Sequence, residues 1–388
     1  MKKILAFVLS LVLALTLVVV VACNGSQPGG NSFKEVDLTD QATREEFVNA
    51  LAEKVDVEKL LNGDPTKEGW TFGVEEKASS KVDFDLSATL GEDASEKLTA
   101  KGNVELSESA KATYKNNGTG KAPDFAASVS LSAKGKVELN DALYDMIGSL
   151  GEEYLGDFDL VGTIKKLVGS NFNYKVDGYV DSEAALISLS DELYNNLPEV
   201  VTGMLGSKNF KIPFGGSSST LAAAETETSS GLELKQEDVK KAINTVIDNF
   251  VLPYKISVAV ANKNGYALRL TATKASVTAV LSGVPSTTDE AQEEASWMES
   301  LLGAIDNDAK VELTVRVDKN GALSSVNLES NVKLNLNMTI EGVKLSGTVS
   351  VSGSVEVKKF NGTVSKPSGT FTEIKGFEGG SSDDEYDD

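Results

Sequence analysis

The amino-acid sequence predicts an α+β fold: a large curved antiparallel sheet, half-barrel-like, with helices packed on its concave face. Three observations lead to this expectation. Apolar and polar residues alternate over unusually long runs, helical spacing appears between those runs, and the composition is that of a globular protein, 40% hydrophobic and 24% charged. Such alternation gives a strand one buried and one solvated face, which favours antiparallel pairing.

The folded body is expected to begin with a helix at Thr43–Leu61. Thr43 and Glu46 have the spacing of a capping box, in which two side chains satisfy free N–H groups of the first helical turn. Apolar residues then recur at helical spacing, and Pro65 lies just beyond the predicted end. The residues that share the apolar face are Phe47, Leu51 and Val55.

Long alternating runs follow at residues 82–90, 98–106 and 125–139, and they predict strands with one apolar face. A run of about fifteen residues would span ~50 Å if extended, whereas strands usually contain about three to ten residues. Strands of this length require a strongly curved sheet or a bend at an internal glycine.

Several of the inward positions on these strands carry small residues. A band of small residues either lets a helix pack closely or leaves a groove, and close packing is the simpler interpretation. The small inward residues are Ala100, Gly102, Ala127, Ala133 and Gly135.

The remaining segments continue the mixture of helices and strands. The elements expected from residue spacing and turn signals are a helix at 141–168 broken at Gly151 and Gly156, a strand at 174–189, a helix at 191–205, a helix at 237–250, strands at 254–260, 266–272 and 275–281, a helix at 289–305, and strands at 311–317, 323–328, 332–340 and 343–357.

The composition divides the chain into regions. Residues 39–214 and 232–376 are each expected to form helices plus antiparallel sheet, as one continuous domain or as two. Residues 215–231 between them are rich in Ser, Thr and Ala and form a linker or loop. The acidic end, residues 377–388, is expected to be disordered.

The N-terminus has the three parts of a secretory signal. Lys2 and Lys3 form a basic head, residues 4–21 form an apolar run, and small Ala22 precedes Cys23. Residues 1–22 are therefore expected to be a signal peptide, with cleavage between Ala22 and Cys23. Residues 23–38 would then be a flexible tether.

The ending Val20-Val21-Ala22-Cys23 resembles the lipobox of bacterial lipoproteins. The resemblance implies that Cys23 is acylated, with palmitate among its lipids, and becomes the first residue of the mature protein. Cys23 is also the only cysteine of the chain, so no internal disulfide can form. An uncleaved transmembrane anchor is the alternative, since ~18 apolar residues can span a bilayer. Either way the body lies outside the cytoplasm, on the cell membrane or, as Asn24 suggests by the family's rules, the outer membrane.

Composition also limits the chemistry that the chain can perform. A formal net charge of −21 argues against nucleic-acid partners, because phosphates would repel the protein. The sequence contains no histidine, which excludes Ser-His-Asp triads and the usual zinc sites. We therefore expect no enzyme activity, no catalytic residues, no cofactor and no metal.

Several acidic clusters could in principle provide a catalytic pair or a metal site. Asp83 and Asp85 share a strand face, but it is the polar face, so a glycosidase-like pair is not expected. Asp157, Asp159 and Gly162 match three positions of a calcium loop whose final ligand is missing. The other clusters are pairs at Glu75-Glu76, Glu152-Glu153 and Glu293-Glu294, and the turn Asp306-Asn307-Asp308. Trp70 and Trp297 are expected to be packing residues.

The order helix, long meander, helices, long meander behind a lipobox resembles the LolA-like superfamily of envelope lipoproteins and lipoprotein carriers. The resemblance could cover most of residues 39–374, and it implies a curved antiparallel half-barrel whose helices cover an apolar cavity. It carries no residue motif, so the ligand-binding residues remain unknown. The first hypothesis is a membrane-anchored, non-catalytic lipoprotein that binds a lipid or another apolar ligand between sheet and helices. The alternative is a surface-exposed structural or adhesive lipoprotein.

Overall fold

A single open sheet of thirteen strands organises the protein, in the order β1-β8-β9-β10-β11-β12-β2-β3-β4-β5-β6-β7-β13. The strands are β1 Lys34–Val36, β2 Thr71–Leu90, β3 Lys97–Lys115, β4 Asp124–Leu139, β5 Phe172–Asp181, β6 Ala184–Leu189, β7 Asn209–Pro213, β8 Ser257–Ala261, β9 Tyr266–Thr273, β10 Lys310–Val317, β11 Leu323–Ile340, β12 Val343–Lys359 and β13 Thr372–Glu373. The computed structural model describes residues 33–54, 63–64, 67–90, 97–155, 159–169, 171–214, 236–262, 265–282, 300–340 and 343–374.

Pairing is antiparallel throughout the sheet except between β13 and β7, which are parallel. Strands from both halves of the chain belong to the sheet, because β12 pairs with β2 and β1 pairs with β8. The α+β class and the large half-barrel-like antiparallel sheet predicted from the sequence are therefore confirmed.

Helices connect the strands and pack against them. Their bounds are α1 Gln41–Ala52, α2 Asp141–Leu155, α3 Leu160–Val168, α4 Asp191–Asn196, α5 Glu199–Leu205, α6 Gln236–Val246, which continues as a π-helical turn at Ile247–Val251, and α7 Lys274–Ser282. None of the helices in the described ranges combines the length and the apolarity that crossing a bilayer requires.

The two faces of the sheet differ in chemistry because side chains alternate along each strand. Val82 is opposite Val104 on one side and Val351 on the other, so apolar residues line up across strands on one face. The opposite face carries Ser, Lys, Asp and Glu. We call these the apolar face and the polar face.

Two hydrophobic clusters lie on the apolar face. One joins β11, β12 and β2 to Ala304, and contains Leu334, Leu336, Leu345 and Val349. The other joins α1, α6 and the π-helical turn to β8 and β9. At the other end of the sheet, α3 and α4 contact the apolar face through Tyr174, whose hydroxyl donates to Leu167 O and accepts from Asn196 Nδ2.

The long strands contain a glycine whose backbone conformation is specific. Gly347, inside β12, has φ +143°, a value that L residues rarely adopt, and a Cβ there would collide with the carbonyl oxygen of Asp85. The length of the alternating runs predicted either a strongly curved sheet or a bend at an internal glycine, and Gly347 is an internal glycine of one such run.

One predicted strand is wrong. Residues 275–281 form part of helix α7, not a third strand of the meander. The reason is the length of the neighbouring strand: β10 begins at Lys310, opposite Thr273, so the chain beyond Thr273 has no strand to pair with. Ser276 marks the change of direction, since its hydroxyl accepts from Thr273 N and donates to Lys255 O.

Other boundaries differ from the predictions. Asp40, not Thr43, caps α1, and its carboxylate accepts from Thr43 N at 2.8 Å. Helix α2 passes through Gly151 without a break. Residues 34–36, assigned to the tether, form β1, and the predicted strands 323–328 and 332–340 are one strand. The segments predicted at 174–189 and 191–205 are each two elements, and Pro198 separates α4 from α5.

Candidate functional site

Two grooves of the apolar face are lined by residues that the structure describes, and the first lies between helices and sheet. This helix groove has a volume of about 380 Å³ and is lined by α1, α6, the π-helical turn, β8 and β9. Most of its lining belongs to the buried cluster there, and Ile247 is 2% exposed. The residues that line it from the helices include Phe47, Leu51, Val239, Ile243 and Ile247.

A polar latch holds the two helices of the helix groove together. Arg44 of α1 donates to Asn244 Oδ1 at 2.7 Å and forms an ion pair with Asp248 at 2.8 Å. The hydrogen bond from Arg44 lowers the pKa of Asp248 from its ordinary value. These contacts link α1 to α6 and to the π-helical turn.

The second groove lies on bare strands. This strand groove has a volume of about 430 Å³, and every residue that lines it belongs to β2, β3, β4, β5 or β6. Its floor is made of small residues that are half-buried: Ala110, Ala112, Ala127, Gly178 and Ala185. Both grooves fall in the range of about 300–1,000 Å³ that is typical of small-molecule sites.

The small inward residues predicted from the sequence were expected either to allow close packing or to leave a groove. The ring of Phe84 on the neighbouring strand occupies the space beside Gly102, since a Cβ at Gly102 would lie 2.9 Å from Phe84 Cζ. Ala127, by contrast, lies in the open groove. The band therefore serves close packing at one point and leaves a groove at another.

Exposed aromatic residues border one end of the strand groove. Phe72, Tyr114 and Phe125 are directly opposite one another on β2, β3 and β4, and are 38%, 36% and 42% exposed. Trp70 stacks on Phe72 with ring centroids 5.7 Å apart. We call this row the aromatic rung. Large apolar side chains with this exposure are candidates for ligand or partner contact.

Two carboxylates enter the strand groove from its other end. Glu76 on β2 and Glu108 on β3 are diagonal neighbours, since Glu76 is opposite Ala110 and Glu108 is opposite Ala78. Both line the groove and lie on the apolar face. Burial, and then the charge of Glu76, raise the pKa of Glu108.

The polar face contains a third concavity, which we call the polar basin, of about 560 Å³. It reaches from Lys310 on β10 to Lys134 on β4, five positions along in the sheet. A twisted sheet is saddle-shaped, so each face is concave along a different diagonal. A row of hydroxyls crosses the basin, and its members on neighbouring strands are Ser354, Ser79, Ser107 and Ser132.

Most charges near the polar basin are paired. Lys134 pairs with Glu105 at 2.8 Å and Lys310 pairs with Glu312 at 2.8 Å. Burial alone would raise the pKa of Glu312, but Lys310 and other cations bring it below its ordinary value. The pKa of neighbouring Glu329 is raised, first by burial and then by Glu312.

Four aspartates that the sequence singled out, Asp83, Asp85, Asp159 and Asp306, have structural roles. Asp83 and Asp85 lie on the polar face and pair with Lys81 at 3.0 Å and Lys101 at 3.2 Å. Asp159 caps α3 by accepting from Gly162 N at 2.8 Å. Asp306 accepts from Asp308 N in a turn, which lowers the pKa of Asp306.

Several predicted positions fall outside the described residues. They are Ala22 and Cys23, Asp157, Glu293-Glu294 and Trp297, together with the linker 215–231 and the tail 377–388. Within the described part of the chain, no group of three or more acidic or cysteine residues could hold a metal ion.

Glu108 was not singled out in the sequence, and Glu76 was named only as half of the pair Glu75-Glu76, for which no site was expected. Glu76 lies before the alternating run that begins at Val82, and Glu108 lies after the run that ends at Leu106, so both fell outside the predicted strands. The signal was present, because each is a charged residue at an apolar position of the alternation once the strands are extended. A charge in that position has to be explained by a partner or by function.

Comparison with known proteins gives structural neighbours but no family. No family model matches the chain, and no curated protein has significant similarity to it. The chain is similar to a β-barrel-like protein of the domain of unknown function DUF1849 from Brucella abortus, with 7% identity, a TM-score of 0.15 and coverage of 73% of this chain and 98% of that one. It is also similar to the toluene transporter TodX of P. putida, with 7% identity, a TM-score of 0.17 and coverage of 76% and 91%. The fold class follows from the chain's own strand pairing.

Proposed function

We propose that this protein is a membrane-anchored, extracytoplasmic lipoprotein that holds the apolar chain of a lipid or similar ligand in the strand groove. The observation that carries the proposal is the groove itself: an apolar trough on bare strands, floored by small residues and bordered by exposed aromatic side chains. Filling such a trough with an alkyl chain would remove apolar surface from water at ~25 cal/mol per Å².

The helix groove is the weaker candidate for the ligand. Most of its walls belong to the buried cluster that attaches α1 and α6 to the sheet, and the Arg44–Asp248 ion pair links α1 to the π-helical turn. Those side chains already stabilise the packing of the helices on the sheet. The strand groove is lined by strands alone, and among the described residues no helix contributes to its lining.

The anchor is proposed from the lipobox at Cys23. Cys23 lies ten positions before Phe33, a length of chain that can span at most ~33–36 Å. The ring of Phe33 lies against two cations of the polar face, 4.4 Å from Arg269 Cζ and 5.9 Å from Arg316 Cζ. These contacts and the pairing of β1 with β8 support a body held at its β1 edge by a short tether.

A non-catalytic role is part of the proposal. It is supported by the absence of histidine from the sequence and by the pairing of the candidate acids Asp83 and Asp85 with lysines. Turnover of esters, glycosides and phosphates by the purified protein would contradict it.

Photo-crosslinking tests the ligand site. The chain from residue 23 with Cys23→Ala retains every residue that the structure describes and carries no acyl group of its own. It is mixed with a neutral alkyl alcohol bearing a diazirine, irradiated and digested. We expect crosslinks on peptides of β3, β4 and β5, and their loss in Ala127→Phe, which fills the groove.

The matched control is Ala126→Phe, which adds the same bulk one residue away on the polar face. It should leave the crosslinks unchanged. Labelling confined to α1 and α6, or equal loss in both variants, would refute the strand groove as the ligand site.

The anchor has a separate test. Cells expressing the full chain are fed an alkyne-bearing palmitate, and the protein is examined for label and for precursor processing. We expect label on the wild-type chain and unprocessed, unlabelled precursor for Cys23→Ala. Equal label on both chains, or a variant processed at the same site, would contradict acylation at Cys23.

A structural or adhesive role is the second candidate, and the aromatic rung is the observation that favours it. Exposed aromatic side chains in a row also suit a protein partner. To distinguish the two roles, a photoreactive diazirine amino acid is placed at Phe72, Tyr114 or Phe125 and the full chain is irradiated on intact cells. A protein captured there would support this role, whereas a captured lipid would support the first.

A further inference from the structure

The ligand's head group can be inferred from the charges at the strand groove. We propose that the groove selects an amphiphile whose head is an ammonium group, with Glu76 and Glu108 as its counter-charges. This inference rests on the proposed function, because it assigns a head group to the chain that the groove would hold.

The first step is the position of the two carboxylates. Glu76 and Glu108 lie on adjacent strands at one end of a largely apolar groove. Its other polar lining residues include Lys111 and Ser128. The aromatic rung lies six residues along β3 from Glu108, at Tyr114, or ~20 Å at about 3.3 Å per residue. The groove thus has an acidic end that could contact the ammonium head of a long-chain amine, and an apolar floor that could contact its alkyl chain.

The second step is that neither carboxylate has a cation. Within the described part of the chain, no ion pair joins Glu76 or Glu108 to a lysine or an arginine. Lys111 also lines the groove, but its ammonium pairs with Glu75 on the polar face at 3.8 Å and lies 5.2 Å from the centre of the Phe360 ring.

Glu75 is a neighbouring carboxylate that is paired with cations, and it can be compared with Glu76. It is one residue from Glu76 and faces the opposite side, where three lysines surround it at 3.6–3.8 Å. Glu76 and Glu108 have each other instead, and burial together with Glu76 keeps the pKa of Glu108 raised. A cation is therefore what their surroundings lack.

The two carboxylates should make the groove prefer a cationic head group to an anionic one. An ammonium head placed between the two carboxylates would offset their repulsion, because opposite charges at short range favour the charged form of each group. A carboxylate or phosphate head would add a third negative charge at the same place. Fatty acids and anionic lipids should therefore be poor ligands, and a neutral amphiphile should lie between.

The test compares three ligands with one chain length: dodecylammonium, dodecanol and dodecanoate, each below its micelle concentration. Their affinities are measured by displacement of the diazirine alcohol from the Cys23→Ala chain that begins at residue 23. We expect dodecylammonium to bind at least tenfold more tightly than dodecanoate, with dodecanol between them. Added salt should shrink the difference.

The variant is Glu76→Gln/Glu108→Gln, and the control is Glu105→Gln, which removes an acid from the polar face of the same strand. The double variant should lose about tenfold in dodecylammonium affinity and keep its dodecanol affinity, and the control should keep both. Circular dichroism establishes that each variant is folded.

The outcomes separate the two proposals. Binding of all three ligands without preference, or a preference that survives in the double variant, overturns the inference about the head group and leaves the groove intact. Binding of none of the three overturns the proposed function itself.

Discussion

The helix groove and the strand groove have similar volumes and the same apolar face, yet they differ in what surrounds them. Large side chains such as Phe47 and Ile247 line the helix groove and belong to a buried cluster. Small side chains floor the strand groove, and its borders are exposed aromatic rings and two carboxylates that form no ion pair with a lysine or arginine among the described residues. The comparison teaches that an apolar cavity points to a ligand only when its lining is not already engaged in holding the fold.

The largest expected effect is on the helix groove. Ile247→Ala should lower the free energy of unfolding by about 2–5 kcal/mol, because it removes a side chain that is 2% exposed and leaves a cavity. Urea titration measures this loss. At low urea the variant should still take up the alkyl probe in the strand groove. A loss below 1 kcal/mol would mean that the helix groove is not core.

The next effect concerns the strand groove. Ala127→Phe should weaken binding of the alkyl probe at least tenfold, which corresponds to ~1.4 kcal/mol. Its free energy of unfolding should change by less than about 1 kcal/mol, since the side chain projects into an open trough. Fluorescence titration and urea titration give the two numbers. A large destabilisation with unchanged binding would reverse the roles of the two grooves.

A smaller effect should follow removal of a helix cap. Asp40→Ala should lower the free energy of unfolding by about 1 kcal/mol, because Thr43 N loses its acceptor at the first turn of α1. Hydrogen exchange should show faster opening of α1 and no change in β3 or β4. Equal loss of protection in β3 and β4 would show that the two groove regions unfold as one unit.

The smallest effect is a gain in stability. Burial and the charge of Glu76 raise the pKa of Glu108 above the ordinary 4.5, so the ionised side chain is less favourable in the folded state than in the unfolded state. The resulting cost appears as pH rises through about 4.5 and persists at neutral pH. Glu108→Gln should therefore raise stability at pH 7 by about 0.5 kcal/mol.

Below pH 4 the gain from Glu108→Gln should vanish, since both states of the wild type are then protonated. Melting curves at the two pH values test this difference. A variant that is less stable than wild type at pH 7 would show that Glu108 has a stabilising partner after all.

The sequence was most informative where the alternation was complete. The strand at 125–139 was predicted almost to the residue, as was the run that became β12, because period two and the absence of competing signals agree there. The order of the strands could not be derived in the same way. The pairing of β12 with β2 brings together residues more than 250 positions apart, and local patterns carry no information about it.

Errors arose where tertiary context decided the structure. Residues 275–281 have the β-branched pattern of a strand, but β10 is too short to offer them a partner. The ends of β2 and β3 were missed because Glu76 and Glu108 interrupt the apolar phase. Those two residues are also the ones with the clearest functional meaning, so the interruption was itself informative.

Ligand-dependent hydrogen exchange tests the central claim most directly, because it reports on both grooves in one experiment. With saturating dodecanol, the account predicts slower exchange in residues 108–114, 125–131 and 176–180, and unchanged exchange in α1 and α6. Protection confined to α1 and α6, or no protection anywhere in the apolar face, would contradict it.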